Sequence, residues 1–329
     1  MIEIEHLTKV YGTHEAVSDL SFRVESGQIY GFLGPNGAGK STTMNIMTGC
    51  LSATSGQVRI DGYDIFDSPN EAKRRIGYLP EQPPLYMNET PEEYLHFVGE
   101  AKGLHGAERK RQMEEVMEQT GIERMRGRRI SALSKGYRQR VGMAQALVGN
   151  PKVLILDEPT VGLDPKQILE IRTLIKKLGK NHTVILSSHI LPEIQAVCDR
   201  IIIINKGVVV ANDTTDNLSR NITTDHRLTL RVEGKKDEIV KALRNIEGIK
   251  YVRADMEREP GVFEYELEAA AGMDIRREVN RILREHDWPI LMMRASDMTL
   301  EDIFLKITMG DAVAIHTNPA DAKTSEGGA

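Results

Sequence analysis

The fold of this chain is decided by one stretch, Gly34-Pro35-Asn36-Gly37-Ala38-Gly39-Lys40-Ser41. It fits the pattern Gly-x-x-x-x-Gly-Lys-Ser/Thr, and it lies between an apolar strand candidate and a helical stretch. Glycines in this pattern let successive backbone N–H groups point at a triphosphate, and the following helix adds the positive end of its dipole. We expect Lys40 to contact the β- and γ-phosphates and Ser41 to coordinate Mg²⁺. The alternative, a glycine-rich turn without a ligand, is disfavoured by the complete motif in this context.

A second motif, Val153-Leu154-Ile155-Leu156-Asp157-Glu158, is an apolar strand candidate that ends in two carboxylates. We expect Asp157 to hold Mg²⁺ through water and Glu158 to polarise the attacking water. The alternative is a pair of acidic residues at an exposed strand end with no part in a site. The phosphate-binding loop (P-loop) at residues 34–41 of the same chain disfavours this alternative. Further apolar runs at Val184–Leu186 and Ile201–Ile204, with helices between them, predict a buried parallel sheet.

Between these two motifs, Leu133-Ser134-Lys135-Gly136-Tyr137 opens a helix that ends near Asn150-Pro151. Ser134 is a good helix N-cap, and that role alone would explain the residue. The stretch also resembles the signature of the ATP-binding subunits of ABC transporters, usually Leu-Ser-Gly-Gly-Gln. The sequence departs from that pattern at Lys135 and Tyr137, whereas Ser134 and Gly136, which carry the γ-phosphate contacts in the family, are present.

The resemblance covers about Met1 to Asp213 and assigns roles to further residues. Tyr11 resembles the aromatic residue that stacks on adenine, and Gln82 matches the glutamine that senses Mg²⁺ and the membrane partner. Asp164, before Pro165, resembles the D-loop aspartate and is also a plain helix N-cap. His189 matches the switch histidine, which would hydrogen-bond the γ-phosphate and orient the water. The resemblance implies a set of nucleotide-binding residues: Tyr11, Gly34, Pro35, Asn36, Gly37, Ala38, Gly39, Lys40, Ser41 and Thr42.

In this family the signature of one subunit faces the P-loop of another, so one chain does not make a complete site. The resemblance therefore implies a head-to-tail dimer, with a homodimer expected, that closes on two ATP and two Mg²⁺. Glu158, His189 and Lys40 would be its catalytic residues; Ser41, Gln82 and Asp157 would hold the metal; and Ser134, Lys135, Gly136 and Tyr137 would act across the interface. The closest likeness is to exporter-type subunits, which drive a separate membrane permease. We expect a cytoplasmic protein held at the inner face of the membrane by that permease.

A competing class is a soluble ABC ATPase that acts on ribosomes or DNA. Translation-factor types carry two ATPase cassettes in one chain, and this sequence has one P-loop. DNA-repair types insert a long coiled coil between the Walker A motif, here residues 34–41, and the Walker B motif, here residues 153–158. The distance between these two motifs in this sequence leaves no room for a coiled coil. A net charge of −5 also argues against general nucleic-acid binding.

Length and composition bound the rest of the prediction. The length of 329 residues suggests about two domains. A composition of 40% apolar and 28% charged residues is typical of a globular protein. The longest apolar runs fall far short of a membrane helix, and the two cysteines cannot make a disulfide framework.

The predicted organisation has four parts. Residues 1–213 form an α/β P-loop NTPase core, a parallel sheet flanked by helices, with an antiparallel β subdomain and an inserted helical subdomain at about 86–150. Within the helical subdomain, helix is predicted from Pro91 to Glu118. Residues 214–225 form a linker. Residues 226–310 have the order β-α-β-β-α-β of a small ferredoxin-like α+β domain, with its second strand at about Ile249–Ala254, followed by a final helix at about Met298–Thr308. Residues 311–329 are small and polar, which predicts a disordered tail. Exporter-type subunits likewise carry an extra C-terminal domain, and this resemblance implies that the accessory domain regulates the protein or stabilises its dimer; a passive appendage is the alternative.

Overall fold

The structure is a computed structural model that describes residues 1–215, 217–218, 227–270 and 273–296. The chain divides into two compact units, one made of Met1–Thr215 and one within residues 216–312. No helix among the described residues is long and apolar enough to cross a membrane.

The first unit begins with an antiparallel sheet. Its strands are β1 (Ile2–Tyr11), β2 (His14–Val24), β4 (Ser55–Ile60) and β5 (Tyr63–Asp64), in the order β2-β1-β4-β5. Ile2 pairs with Val24 on one side and with Ile60 on the other, and all three side chains are buried. Because alternate side chains of a strand share one face, this register places a continuous apolar face in the core.

A six-stranded sheet forms the centre of the same unit. Its strands are β3 (Ile29–Leu33), β6 (Ile76–Leu79), β7 (Val153–Leu156), β8 (Thr183–Ser188), β9 (Arg200–Asn205) and β10 (Val208–Thr214), in the order β10-β9-β3-β8-β7-β6. The strands from β9 to β6 are parallel, and β10 is antiparallel to β9. Every residue of β3, β7 and β8 is buried, as expected for a parallel sheet covered on both faces. The predicted buried parallel sheet is therefore confirmed.

Seven helices accompany these sheets in the described part of the first unit: α1 (Lys40–Met47), α2 (Pro69–Arg74), α3 (Pro91–Ala101), α4 (Gly106–Thr120), α5 (Lys135–Leu147), α6 (Pro165–Leu178) and α7 (Leu191–Gln195). The sequence predicted helix throughout 91–118, and this is wrong for the residues between α3 and α4. Gly103 has a φ of +81° there, a left-handed conformation that ends the first helix. Thr90 and Glu93 form a reciprocal capping box at the start of α3.

The second unit consists of β11 (Arg227–Glu233), α8 (Lys236–Arg244), β12 (Ile249–Glu259), β13 (Val262–Ala269), α9 (Arg276–Glu285) and β14 (Ile290–Ser296). Its strands form one antiparallel sheet in the order β12-β13-β11-β14. The buried faces of α8 and α9, with Leu243 and Leu283 fully covered, pack with Leu230 and Tyr265 in one apolar core. The predicted helix at Met298–Thr308, the tail from 311 and most of the linker lie outside the described residues.

Candidate active site

The loop after β3 is shaped by its glycines. Gly37 and Gly39 have φ values of +79° and +103°, which non-glycine residues rarely adopt. A Cβ at Gly39 would also lie 2.6 Å from the carbonyl oxygen of Ala16. This backbone leads directly into α1, so the free N–H groups of the loop and of the helix end are close to one another.

Lys40, the first residue of α1, is 6% exposed. Its Nζ donates hydrogen bonds to the carbonyl oxygens of Gly34 at 2.7 Å and Pro35 at 3.1 Å, and it lies 3.8 Å from Glu158 Oε1. Burial lowers the pKa of Lys40, and the carboxylates of Glu158, Asp157 and Glu81 oppose that shift. The ammonium group is therefore held inside the loop by backbone oxygens and faces a cluster of acids.

Asp157 follows β7 and is 3% exposed. Its Oδ1 accepts a hydrogen bond from Ser187 Oγ at 2.5 Å and lies 3.5 Å from Ser41 Oγ. The parallel register of β3, β8 and β7 brings these three residues to the same edge of the sheet. The result is a group of oxygen atoms of the kind that Mg²⁺ prefers.

Glu158 is held between two strand ends. Its N–H donates to Ser187 Oγ at 2.8 Å, and both of its carboxylate oxygens lie 3.1 Å from His189 Nδ1. The Glu158 backbone has a φ of +47°, an uncommon conformation for a residue with a side chain. The carboxylate is nearly buried, whereas the His189 side chain is 40% exposed. This pair places a carboxylate beside an imidazole, two kinds of side chain that serve in proton transfer.

A cavity of about 450 Å³ lies over these groups. Nine of the predicted site residues line it: Tyr11, Asn36, Gly37, Gly39, Lys40, Ser41, Thr42, Glu158 and His189. Four further lining residues were not predicted: His14, Ala16, Glu81 and Val161. Tyr11 ends β1 with 46% of its surface exposed, which leaves a ring face accessible at the mouth of the cavity.

Other predicted residues lie away from this lining. Gly34, Pro35 and Ala38 belong to the loop but do not border the cavity, and Gln82 is an exposed residue beside Glu81. Ser134 caps α5 by accepting a hydrogen bond from the Tyr137 N–H at 3.4 Å, and Asp164 caps α6 by accepting one from Gln167 at 2.9 Å. No residue of 133–137, all of which the structure describes, lines the cavity.

The start of α5, which carries the signature residues 134–137, contacts the loop before α6 that contains Gly162 and Asp164. Lys135 Nζ lies so close to Gly162 that a Cβ there would overlap it, and Gly162 has a φ of +67°. A Cβ at Gly136 would likewise lie 2.8 Å from the Gln167 side chain. Both neighbours are the ends of flexible side chains that can move, so glycine is favoured by the positive φ at Gly162 and not by space at either position.

Comparisons with known proteins agree with this geometry. A family model described as ABC transporter matches residues 17–161. The linearmycin resistance ATP-binding protein LnrL of Bacillus subtilis (strain 168) is 33% identical over 94% of this chain and 98% of its own length. The bacitracin transport ATP-binding protein BcrA of Bacillus licheniformis is 34% identical over 95% of this chain and 99% of its own.

Among solved structures, the ATP-binding cassette MJ0796, a dimer in a post-hydrolysis state bound to ADP and Pi, is similar with a TM-score of 0.59. It is 28% identical, and the match covers 65% of this chain and 98% of that one. The residues matched by the family model include the P-loop at 34–41. The chain therefore belongs to the ATP-binding proteins of ABC transporters, and its P-loop unit is an ABC ATPase.

Proposed function

We propose that this chain is the ATP-hydrolysing subunit of an exporter whose membrane permease is a separate chain. The similarity to LnrL and BcrA extends over more than nine-tenths of the chain and therefore includes the second unit. The names of these relatives refer to linearmycin resistance and bacitracin transport, which supports transport of a toxic compound out of the cell. The permease would hold the chain at the cytoplasmic face of the membrane.

One observation carries the catalytic part of this proposal, the contact between Glu158 and His189 beside Lys40. Glu158 accepts the proton of the attacking water, and His189 orients that water toward the γ-phosphate. Lys40 binds the phosphates together with the backbone N–H groups of Gly34 and residues 36–42, since Pro35 has none, and Tyr11 stacks on the base. Lys40 and Glu158 are nearly buried, which strengthens their charge interactions relative to water.

Mg²⁺ fits the oxygen atoms at the strand ends. Ser41 Oγ and Asp157 Oδ1 are 3.5 Å apart, and hydroxyl and carboxylate oxygens are the donors expected for this ion. Ser41 and Asp157 would hold it, with Gln82 as a further ligand. When bound, the ion neutralises charge that develops on the phosphate oxygens.

The proposed working form is a head-to-tail dimer. The helix end capped by Ser134 lies away from the cavity of its own chain, which leaves it for the site of a partner. Ser134, Lys135, Gly136 and Tyr137 would then complete that site in trans, and Asp164 would lie at the same interface. The solved dimer of MJ0796 supports this arrangement.

We propose domain limits at residues 1–213 and 226–310, with a helical subdomain at about 86–150, a linker at 214–225 and a tail from 311. The strand order β12-β13-β11-β14, with the helices α8 and α9 after β11 and β13, supports a ferredoxin-like fold for the second domain. Its proposed role is to regulate the ATPase or stabilise the dimer. If a chain without residues 223–329 dimerises, hydrolyses ATP and transports normally, that role is refuted.

The transport assignment is tested by copurification. The tagged chain is isolated from detergent-solubilised cells of its source organism, and its stable partners are identified by mass spectrometry. An integral membrane protein in fixed proportion, which stimulates the ATPase in reconstituted vesicles, is the expected result. Recovery with ribosomes or DNA and without a membrane protein would contradict the proposal.

A further inference from the structure

Glu193 is a buried carboxylate outside the cavity that the proposed reaction leaves without a role. It lies on α7, four residues after His189, and is 6% exposed. A buried charge is costly unless it is hydrogen-bonded or paired, so its partners indicate what it is for.

The partners of Glu193 come from both strand ends that build the site. Its Oε2 accepts a hydrogen bond from Thr160 Oγ1, and Ser188 Oγ lies 3.5 Å from the same oxygen. Thr160 is two residues after Glu158, and Ser188 directly precedes His189. One carboxylate thus links the segment that follows Glu158 to the segment that carries His189.

Both linked segments need external support. Glu158 has the uncommon φ of +47°, and a non-glycine residue keeps such a backbone only when its surroundings fix it. The His189 side chain is 40% exposed, so packing alone does not set its position. Ser188 Oγ also accepts a hydrogen bond from the Ile190 N–H at 3.0 Å, which ties the residues on both sides of His189 together.

A second link joins the same two chain segments. Ser187 donates to Asp157 and accepts from the Glu158 N–H, so it joins β8 to the residues that follow β7. Glu193 makes its own link between these segments through Thr160 and Ser188. The segments that carry Glu158 and His189 are therefore held together at two points.

Arg172 of α6 lies next to the Glu193 link. Its Nη2 is 3.9 Å from Glu193 Oε1, and its buried Nε has no hydrogen-bond partner among the described residues. The guanidinium compensates the buried charge at a distance, while the hydroxyl groups make the directional contacts. Removal of the negative charge alone is therefore less harmful than removal of the acceptor oxygens.

We infer that Glu193 is a positioning residue for ATP hydrolysis: through Thr160 and Ser188 it fixes the two segments whose spacing sets the Glu158–His189 contact. This inference rests on the proposed roles of those two residues. A displacement of about 1 Å in a reacting group can cost about 100-fold in rate, so loss of the link acts on turnover rather than on nucleotide binding.

The test is steady-state ATPase kinetics of the purified full chain with the variants Glu193→Ala, Glu193→Gln and Thr160→Val. Glu193→Ala is expected to lower kcat by about 10- to 100-fold with the KM for ATP changed by less than about threefold. Glu193→Gln keeps an acceptor oxygen and is expected to restore most of the activity. Thr160→Val is expected to match Glu193→Ala, and the double variant to be no worse than either, because one link is lost in each case.

Thr120→Val is the matched control, since it removes another buried hydroxyl, one that donates to the Val116 carbonyl oxygen at 2.6 Å in α4. It is expected to keep the kcat of the unmodified chain. Wild-type kcat in Glu193→Ala or in Thr160→Val, or equal losses in the Ala and Gln variants, would overturn the inference. If Glu193→Ala does not fold, Thr160→Val and Glu193→Gln decide: a wild-type kcat in Thr160→Val, or a loss in Glu193→Gln as large as that in Thr160→Val, would overturn the inference.

Glu158→Gln separates this inference from the proposed function. If Glu158→Gln abolishes hydrolysis while Glu193→Ala and Thr160→Val are normal, only the positioning role is wrong. If Glu158→Gln hydrolyses ATP at the normal rate, the proposed mechanism itself is wrong, and the positioning role falls with it.

Discussion

The two units differ in where they keep their charged groups. In the first unit four charged side chains are buried: Lys40, Asp157, Glu158 and Glu193. They lie beside the ends of three adjacent strands, β3, β7 and β8, and are held by hydroxyl groups, backbone and one another. Among the described residues of the second unit, no charged side chain is buried.

Charges of the second unit form pairs near its surface. Arg231 Nε lies 2.7 Å from Glu264 Oε2 and, by this hydrogen bond, holds the pKa of that carboxyl below its usual range. Its core is apolar and built from the faces of one sheet and two helices. Burial of a charged group costs free energy that packing does not recover. The buried charges of the first unit therefore indicate a chemical role, and the apolar core of the second unit indicates a structural role.

The largest effect that tests this contrast is expected for Glu158→Gln. Removal of the proposed base should lower the ATPase rate by about 1,000-fold and leave ATP binding intact, because the amide keeps the size of the side chain. The ATP-bound dimer should then accumulate and be detected by size-exclusion chromatography. A rate equal to that of the unmodified chain, or a variant that stays monomeric with ATP, would contradict the expectation.

In the second unit, Leu230→Ala is expected to lower the free energy of unfolding by about 3 kcal/mol, since Leu230 is fully buried and its loss leaves a cavity. Denaturant titration followed by circular dichroism measures this change. At denaturant concentrations below the unfolding transition, the ATPase rate of the variant should equal that of the unmodified chain. A lower rate in the folded variant would show that the second unit supports catalysis, and would break the contrast.

His189→Ala is expected to reduce turnover by about 30-fold, which is smaller than the effect at Glu158 because water can be oriented in part without the imidazole. The dissociation constant for ATP, measured by calorimetry, should change little. Weakening of ATP binding in proportion to the loss of rate would instead assign His189 to binding.

The smallest effect is expected for Arg281→Ala on α9. Arg281 is paired with Glu278 and Glu285 on an exposed helix face, and such pairs contribute little to stability. Neither the unfolding midpoint nor the ATPase rate should change measurably. A clear loss of stability would mean that this face is covered in the working protein.

Much of the site could be predicted because its chemistry follows short, ordered motifs. Lys40 and Ser41 follow one buried strand and Asp157 and Glu158 another, and a parallel sheet brings such strand ends together. The role of His189 was implied by the family resemblance, and the structure places its Nδ1 3.1 Å from Glu158.

The residues that were missed lack a local pattern. His14, Ala16 and Val161 line the cavity only because separate loops meet there, and the hydrogen bond between Thr160 and Glu193 joins residues 33 apart in sequence. The break between α3 and α4 was missed because helical periodicity continues on both sides of it. The strand β12 extends to Glu259, beyond the predicted end near Ala254, because pairing with β13 and not composition sets its length.

The left-handed backbone at Glu158 has an evolutionary consequence. A non-glycine residue in this conformation costs about 1–2 kcal/mol, so the chain gives up stability at the position of the proposed base. Glycine would relieve that cost, and asparagine or aspartate would reduce it. A copy of this sequence released from selection for activity should therefore drift toward these residues at position 158 early. Glycine or asparagine at this position in a relative would mark a cassette that lacks the carboxylate.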